Sequence, residues 1–314
     1  MKYNRVFVIA AFLLMACRCA VEADDVAAPA GMNLTKARSG FVTKLVRKEK
    51  IGEPVEEPPA NLFRLVKYVS PGGSMSAYVS PAPAAGGKHP AIIWIVGGFS
   101  NSIGRVAWTP RPTDNDQSAS AFREAGIVMM YPSLRGGNDN PGVKECFYGE
   151  VDDVLAAADY LSKLDYVDPN RIYLGGHSTG GTLALLVAES RNRFRAVFAF
   201  GPVSDVRSYG ADVIPFDTTN PREAELRAPG NWLQAIRTPT FVFEGTEQPG
   251  NIVSLRILQH STHNPVIQFL PVEGATHFST LAPVTHLIAA KILHDDDAVV
   301  NIGFTEEDLA KAMK

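Results

Sequence analysis

The chain is short of cysteine, of net charge and of long apolar runs, and each shortage excludes a class of protein. Only 3 of its 314 residues are Cys, too few for a small disulfide scaffold, and none of them has the Cys-x-x-Cys spacing of a structural metal site. Lys and Arg number 30 against 33 Asp and Glu, a net charge of -3. Without a cationic excess there is nothing to neutralise a polyphosphate backbone, so nucleic acid is excluded as a partner. The longest apolar run, Val6 to Ala16, has 11 residues. A membrane-spanning helix needs roughly 20. No internal repeat is visible. What the chain does have is 46% hydrophobic residues, enough buried apolar surface to offset chain entropy and exclude intrinsic disorder.

The N-terminal run reads as a targeting segment. Lys2 and Arg5 precede it, and Val21-Glu22-Ala23 gives a small-x-small cleavage site, so residues 1–23 are expected to be a secretory signal peptide. Leu14-Met15-Ala16-Cys17 is a second reading, a lipoprotein signal with a lipid anchor on Cys17. Either places the protein outside the cytoplasm, as a secreted, periplasmic or cell-envelope protein. Cleavage after Ala23 leaves Cys146 as the one remaining thiol, expected to be a buried small apolar residue. Residues 24–61, rich in Ala, Pro and alternating charge, are expected to form an extended leader or linker. Residues 62–314 form the body.

Along the body, short β-branched runs alternate with amphipathic segments. Leu62–Val69 and Ser74–Ser80 flank Pro71-Gly72-Gly73 and predict a hairpin. Ala91–Val96, Ile127–Tyr131, Arg171–Leu174, Ala196–Phe200, Thr240–Phe243 and Val266–Leu270 read as buried strands. Ser118–Ala125, Glu150–Leu164, Thr179–Ser190, Asn251–Ser261 and Ala282–Leu293 carry helical spacing, and Thr305 opens a last helix with a capping box. The alternation predicts an α/β fold, a mostly parallel sheet with helices on both faces. Reactive groups then belong at the carboxyl ends of the strands.

One such end carries a specific signal. Directly after Arg171–Leu174 comes Gly175-Gly176-His177-Ser178-Thr179-Gly180-Gly181, and a helix follows. Gly-x-Ser-x-Gly between strand and helix is a nucleophile elbow: the turn is tight enough to require small neighbours, and it lifts the serine to the helix N-terminus. Ser178 is the candidate nucleophile and the Thr179 N–H a candidate oxyanion donor.

Together with Tyr131–Gly137, Phe147–Asp153, Tyr166–Ile172, Gly201–Asp205, Thr238–Thr240 and Gly274–His277, this motif resembles the α/β-hydrolase superfamily, in its prolyl-oligopeptidase-like and dienelactone-hydrolase-like branch. The resemblance spans roughly residues 62 to 295. It implies an α/β-hydrolase domain with a small cap or none, and a serine hydrolase needing no cofactor. The family order of nucleophile, acid and base implies His277 as base. The acid is expected after Thr240–Phe243, but the position where the family usually has Asp holds Gln248. Glu247 is the first choice, with Glu244 and Asp205 as alternatives. Where relatives often have His-Gly-Gly, this chain has Val96-Gly97-Gly98; the N–H of Gly98 or Phe99 would be the second oxyanion donor.

Arg135 is open between a substrate anion and an ion pair with Glu150 or Asp152. His260 and His263 lie three residues apart near a helix end, more simply a solvated end than a metal pair, and Asp295–Asp297 reads as a solvated turn. The expected function is an exported serine hydrolase acting on an ester, a small amide or a short peptide. The alternative is a non-catalytic binding or envelope protein on the same fold, to which Gln248 and Val96 would point.

Overall fold

The computed structural model describes residues 31–296 and 298–314. The expected signal segment, Cys17 and Asp297 lie outside the described residues. Among the described residues, eight strands form one sheet: β1 (Arg64–Ser70), β2 (Gly73–Val79), β3 (His89–Ile95), β4 (Val128–Pro132), β5 (Val167–His177), β6 (Val197–Phe200), β7 (Thr240–Gly245) and β8 (Ile267–Val272), in the order β1-β2-β4-β3-β5-β6-β7-β8. The predicted hairpin pairs β1 with β2 antiparallel, Ser70 opposite Gly73. β2 pairs antiparallel with β4, and every later pair is parallel. Asp168–Asn170 fall within β5, where the register against β3 shifts between His89 and Ala91.

Helices cover both faces: α1 (Leu34–Arg38), α2 (Ala121–Glu124), α3 (Glu150–Leu161), α4 (Thr179–Ser190), α5 (Pro221–Glu225), α6 (Ile252–His260), α7 (Leu281–Leu293) and α8 (Glu306–Ala312). Side chains alternate across a strand, so each central strand feeds two cores. Ala91, Ile93 and Ile95 of β3 join α3, α4 and α6 on one face. Ile92 and Trp94 join α2, α7 and α8 on the other. β6 does the same, with Val197 and Ala199 on the first side and Phe198 and Phe200 on the second. α4 is buried along its whole length, which explains its almost unbroken apolar sequence. The capping box at Thr305 and Asp308 forms as predicted.

The stretch 31–61 is extended but not detached. Leu34 is buried in the core, Leu45 bridges Phe216, and the Ile51 and Gly52 amides donate to the carbonyls of Gly136 and Asn138. It is a strap across the body. Between β6 and β7 the chain makes only α5 and short 3-10 turns, so no large cap covers the strand ends.

Candidate active site

Ser178 stands at the turn between β5 and α4 with φ 55°, in the left-handed region that L-residues seldom adopt. Its amide donates to the Phe200 carbonyl at 2.7 Å, and its own carbonyl accepts from Thr182 at 2.9 Å. A Cβ at Gly176 would strike the Gly180 backbone, and one at Gly180 would strike the Ile95 carbonyl. The two motif glycines are therefore required by close approach of β5, α4 and β3.

His277 lies in the loop after β8. Its ring sits 4.4 Å, centroid to centroid, from that of His177, the neighbour of Ser178. Nδ1 of His277 is 2.9 Å from Oε2 of Glu244, which is 1% exposed. A buried carboxylate here fixes the Nδ1–H tautomer and leaves Nε2 free to take a proton. Glu247, the expected acid, does not take this place. Its side chain is exposed, and its amide donates to Ala275. The reason is the length of β7. The strand runs on through Glu244 and Gly245, so Glu244 ends inside the fold opposite the His277 loop, while the chain beyond turns outward. Asp205 is also elsewhere, capping a 3-10 turn and pairing with Arg207.

Two residues that had no expected site role complete this corner. Gly201 has φ 56°, and a Cβ there would collide with the His277 ring and with Glu244 Oε2. The glycine after β6 is what lets acid and base meet. His177 is the second: its Nε2 lies 3.0 Å from the His277 carbonyl and its Nδ1 3.0 Å from Gln117 Oε1, so whichever nitrogen carries the proton has an oxygen to donate to. Burial, reinforced by the neighbouring His277, lowers the His177 pKa to about 3. It therefore stays neutral and acts as a fixed donor. Both lay within quoted motifs, Gly201 directly after a strand end and His177 inside the elbow, but neither motif showed what its residue would touch.

Thr179 opens α4, so its first-turn N–H is free of intrahelical bonding and points with the helix dipole toward the site. Its hydroxyl donates to the Gly98 carbonyl at 2.5 Å, tying the 97–99 turn to the elbow. The N–H groups of Gly98 and Phe99 have no hydrogen-bond partner among the described residues. Two pockets flank this turn. One of about 40 Å³ is lined by Gly98, Phe99, Thr179, Leu183, Cys146 and Phe147. The other, about 400 Å³, is lined by Trp94, Gly97, Ile103, Gln117 and Tyr131.

The remaining candidates are structural. Arg135 makes an ion pair, with Asp153 at 3.0 Å and Glu145 at 2.7 Å, not with Glu150 or Asp152. Cys146 is buried, and burial pushes its thiol up to about 12. His260 is exposed and bonds the Arg256 carbonyl of its own helix. Asp295 is buried against Arg195 and Tyr173 and is not a solvated turn.

Fold and elbow together define an α/β-hydrolase domain. Within it, residues 113–246 match the Prolyl oligopeptidase family, so the resemblance drawn from the motifs holds over that segment. Prolyl oligopeptidase A of Amanita bisporigera is 30% identical over 115 residues, 35% of this chain and 14% of that protein; the chain thus matches about one seventh of that relative's length. An uncharacterized peptidase of Bacillus subtilis is 29% identical over 192 residues, 57% of this chain and 69% of its own length. A puromycin-hydrolyzing peptidase of Mycobacterium tuberculosis superposes with a TM-score of 0.59 at 19% identity, over 76% of this chain and 41% of that one.

Proposed function

We propose that the protein is an exported serine hydrolase that cleaves a short peptide, a small amide or an ester through an acyl-enzyme on Ser178. The observation that carries the reading is the hydrogen bond between His277 and the buried Glu244, on a fold that also holds a strained serine at a helix N-terminus. Neutral His277 takes the Ser178 hydroxyl proton as its oxygen attacks the carbonyl carbon. The oxyanion is held by the Thr179 N–H with that of Gly98 or Phe99. The imidazolium, stabilised by Glu244, then protonates the leaving amine or alcohol. Water repeats the sequence on the acyl-enzyme: His277 accepts its proton, and Ser178 recovers one as the acid departs.

A peptide is favoured by the peptidase-type segment; the absence of a large cap among the described residues favours small substrates of either kind. Gln248 supported a non-catalytic alternative, but Glu244 supplies the carboxylate that Gln248 lacks. The test is labelling by a fluorophosphonate, with turnover of aminoacyl p-nitroanilides and p-nitrophenyl esters. Wild type should label and turn over, and Ser178→Ala should do neither. Equal labelling of the two would overturn the reading. Export is checked by N-terminal sequencing of the protein recovered outside the cytoplasm, expected to begin at Asp24, and lipidation at Cys17 by palmitate incorporation.

A further inference from the structure

The loop 145–148 is held to a degree that its sequence does not explain. Cys146 and Phe147 both have positive φ, 55° and 71°, two non-glycine residues in succession in a backbone region they disfavour. Every carbonyl of the loop accepts from a guanidinium. Arg227 donates to those of Glu145 and Cys146, and Arg38 to those of Phe147 and Tyr148, the last two at 2.8 Å. The carboxylate of Glu150 accepts the amides of Glu145, Cys146 and Tyr148. Both guanidiniums lie near the Tyr148 ring, 4.6 and 4.8 Å from its centroid. Strained backbone persists only where its surroundings over-determine it, and here they do so through two arginines.

One of those arginines belongs to the strap. Arg38 ends α1 and also bonds the Leu226 carbonyl. Arg227, fully buried, is in turn anchored on the strap by Thr43, whose hydroxyl accepts from its Nη2 at 2.6 Å. What the clamp fixes is a wall of the reaction site. Cys146 and Phe147 face the pocket of about 40 Å³ beside Thr179 and Gly98, and Phe147 stacks on Tyr209, which meets Phe99 edge-on. It is about a tenth the size of the pocket on the other side of the 97–99 turn.

We infer that Arg38 is a positioning residue: with Arg227 it fixes the 145–148 loop as a wall of the acyl pocket, and so restricts the acyl group to a short apolar chain. In an ester that means a short-chain acyl group; in a peptide, a small residue on the acyl side of the scissile bond. This rests on the serine-hydrolase reading above. The strap is thus part of the specificity apparatus although it touches none of the reacting groups.

The test uses the full chain with Cys17 and Cys19 changed to Ser, so that Cys146 is the one thiol. Wild type should favour p-nitrophenyl acetate over the octanoate by 100-fold or more in kcat/KM. Arg38→Ala should cut that ratio at least tenfold, chiefly by lowering KM for the octanoate, and Arg38→Lys should cut it less. In the same variants Cys146 should react with Ellman's reagent at least ten times faster. If Arg38→Ala does not fold, Thr43→Val, which removes the strap's hydrogen bond to Arg227 and leaves its Glu223 ion pair, carries the comparison. An unchanged chain-length ratio with an unchanged thiol rate in a folded variant overturns the clamp, as does a wild type that takes octanoate as readily as acetate. A wild type that no fluorophosphonate labels overturns the hydrolase reading instead, and the thiol rate then still judges whether Arg38 holds the loop.

Discussion

Oε2 of Glu244 lies 2.9 Å from Nδ1 of His277, across 33 residues of sequence, while Glu247 faces solvent. Glu244→Gln keeps the shape but favours the wrong histidine tautomer, and kcat should fall roughly 10³-fold or more. Glu247→Gln should stay within about twofold of wild type, as expected for an exposed group away from the reacting atoms. Steady-state turnover of an aminoacyl p-nitroanilide measures both. The assignment fails if the two variants exchange behaviour.

Gly201 is the glycine on which acid and base converge. Gly201→Ala would push a methyl group against both the His277 ring and Glu244, at a φ that alanine tolerates poorly. A displacement of about 1 Å at such a site costs on the order of 100-fold in rate. Activity should fall by that order while circular dichroism shows a folded protein. Full activity would mean that the Glu244–His277 contact is dispensable.

His177 should be a neutral donor at every pH at which the protein is active. Its pKa lies at about 3, against an ordinary value of 6.5. The fold therefore binds fewer protons here than the unfolded chain. The resulting stability is present above pH 6.5 and is lost as pH falls toward 3, by about 1.4 kcal/mol per pH unit for one proton. His177→Gln should flatten that acid limb in denaturant titrations. It should also lower kcat roughly tenfold, because the His277 carbonyl loses its contact with His177. A His177 imidazole, assigned by its loss in His177→Gln, that titrates near pH 6.5 in NMR spectra of the wild type would contradict this account.

Glu189, near the end of α4, is fully buried, and neither of its carboxylate oxygens has a hydrogen-bond partner among the described residues. Burial holds its carboxyl well above the usual carboxylate range, with the Arg38 charge as the opposing influence. A raised folded pKa contributes stability below about pH 4.5 that is lost as pH rises through the folded value. Glu189→Met should therefore stabilise the protein by about 1–3 kcal/mol at pH 8, and by less at pH 5. Melting temperatures at the two pH values measure the difference. A melting temperature that drops equally at both would show that the carboxyl is needed in the fold.

Much of the fold was legible because its signals are local. The central strands were readable as apolar runs, since strands buried on both faces must be apolar throughout. α4 matched its expected span at both ends, because the elbow starts it and its pattern lasts to Ser190. Arg135 shows where local reading stops. Three carboxylates within α3 were within reach by sequence, and only the helix's rotation against the sheet put Asp153, and not Glu150 or Asp152, onto the guanidinium.

By itself, then, the sequence determined the alternation of strands and helices, the strained serine between two obligatory glycines, and the histidine late in the chain. These depend on periodicity, on turn sterics and on chain order, all written within a few residues. Only the tertiary structure decided that Glu244 and not Glu247 faces His277, that His177 braces it, and that residues 31–61 clamp the body. Those contacts depend on how far β7 runs before it turns and on which surfaces meet across 33 to 188 residues of chain. A loop's path and a strap's docking are set by the packing of the whole sheet, and no short window of sequence contains it.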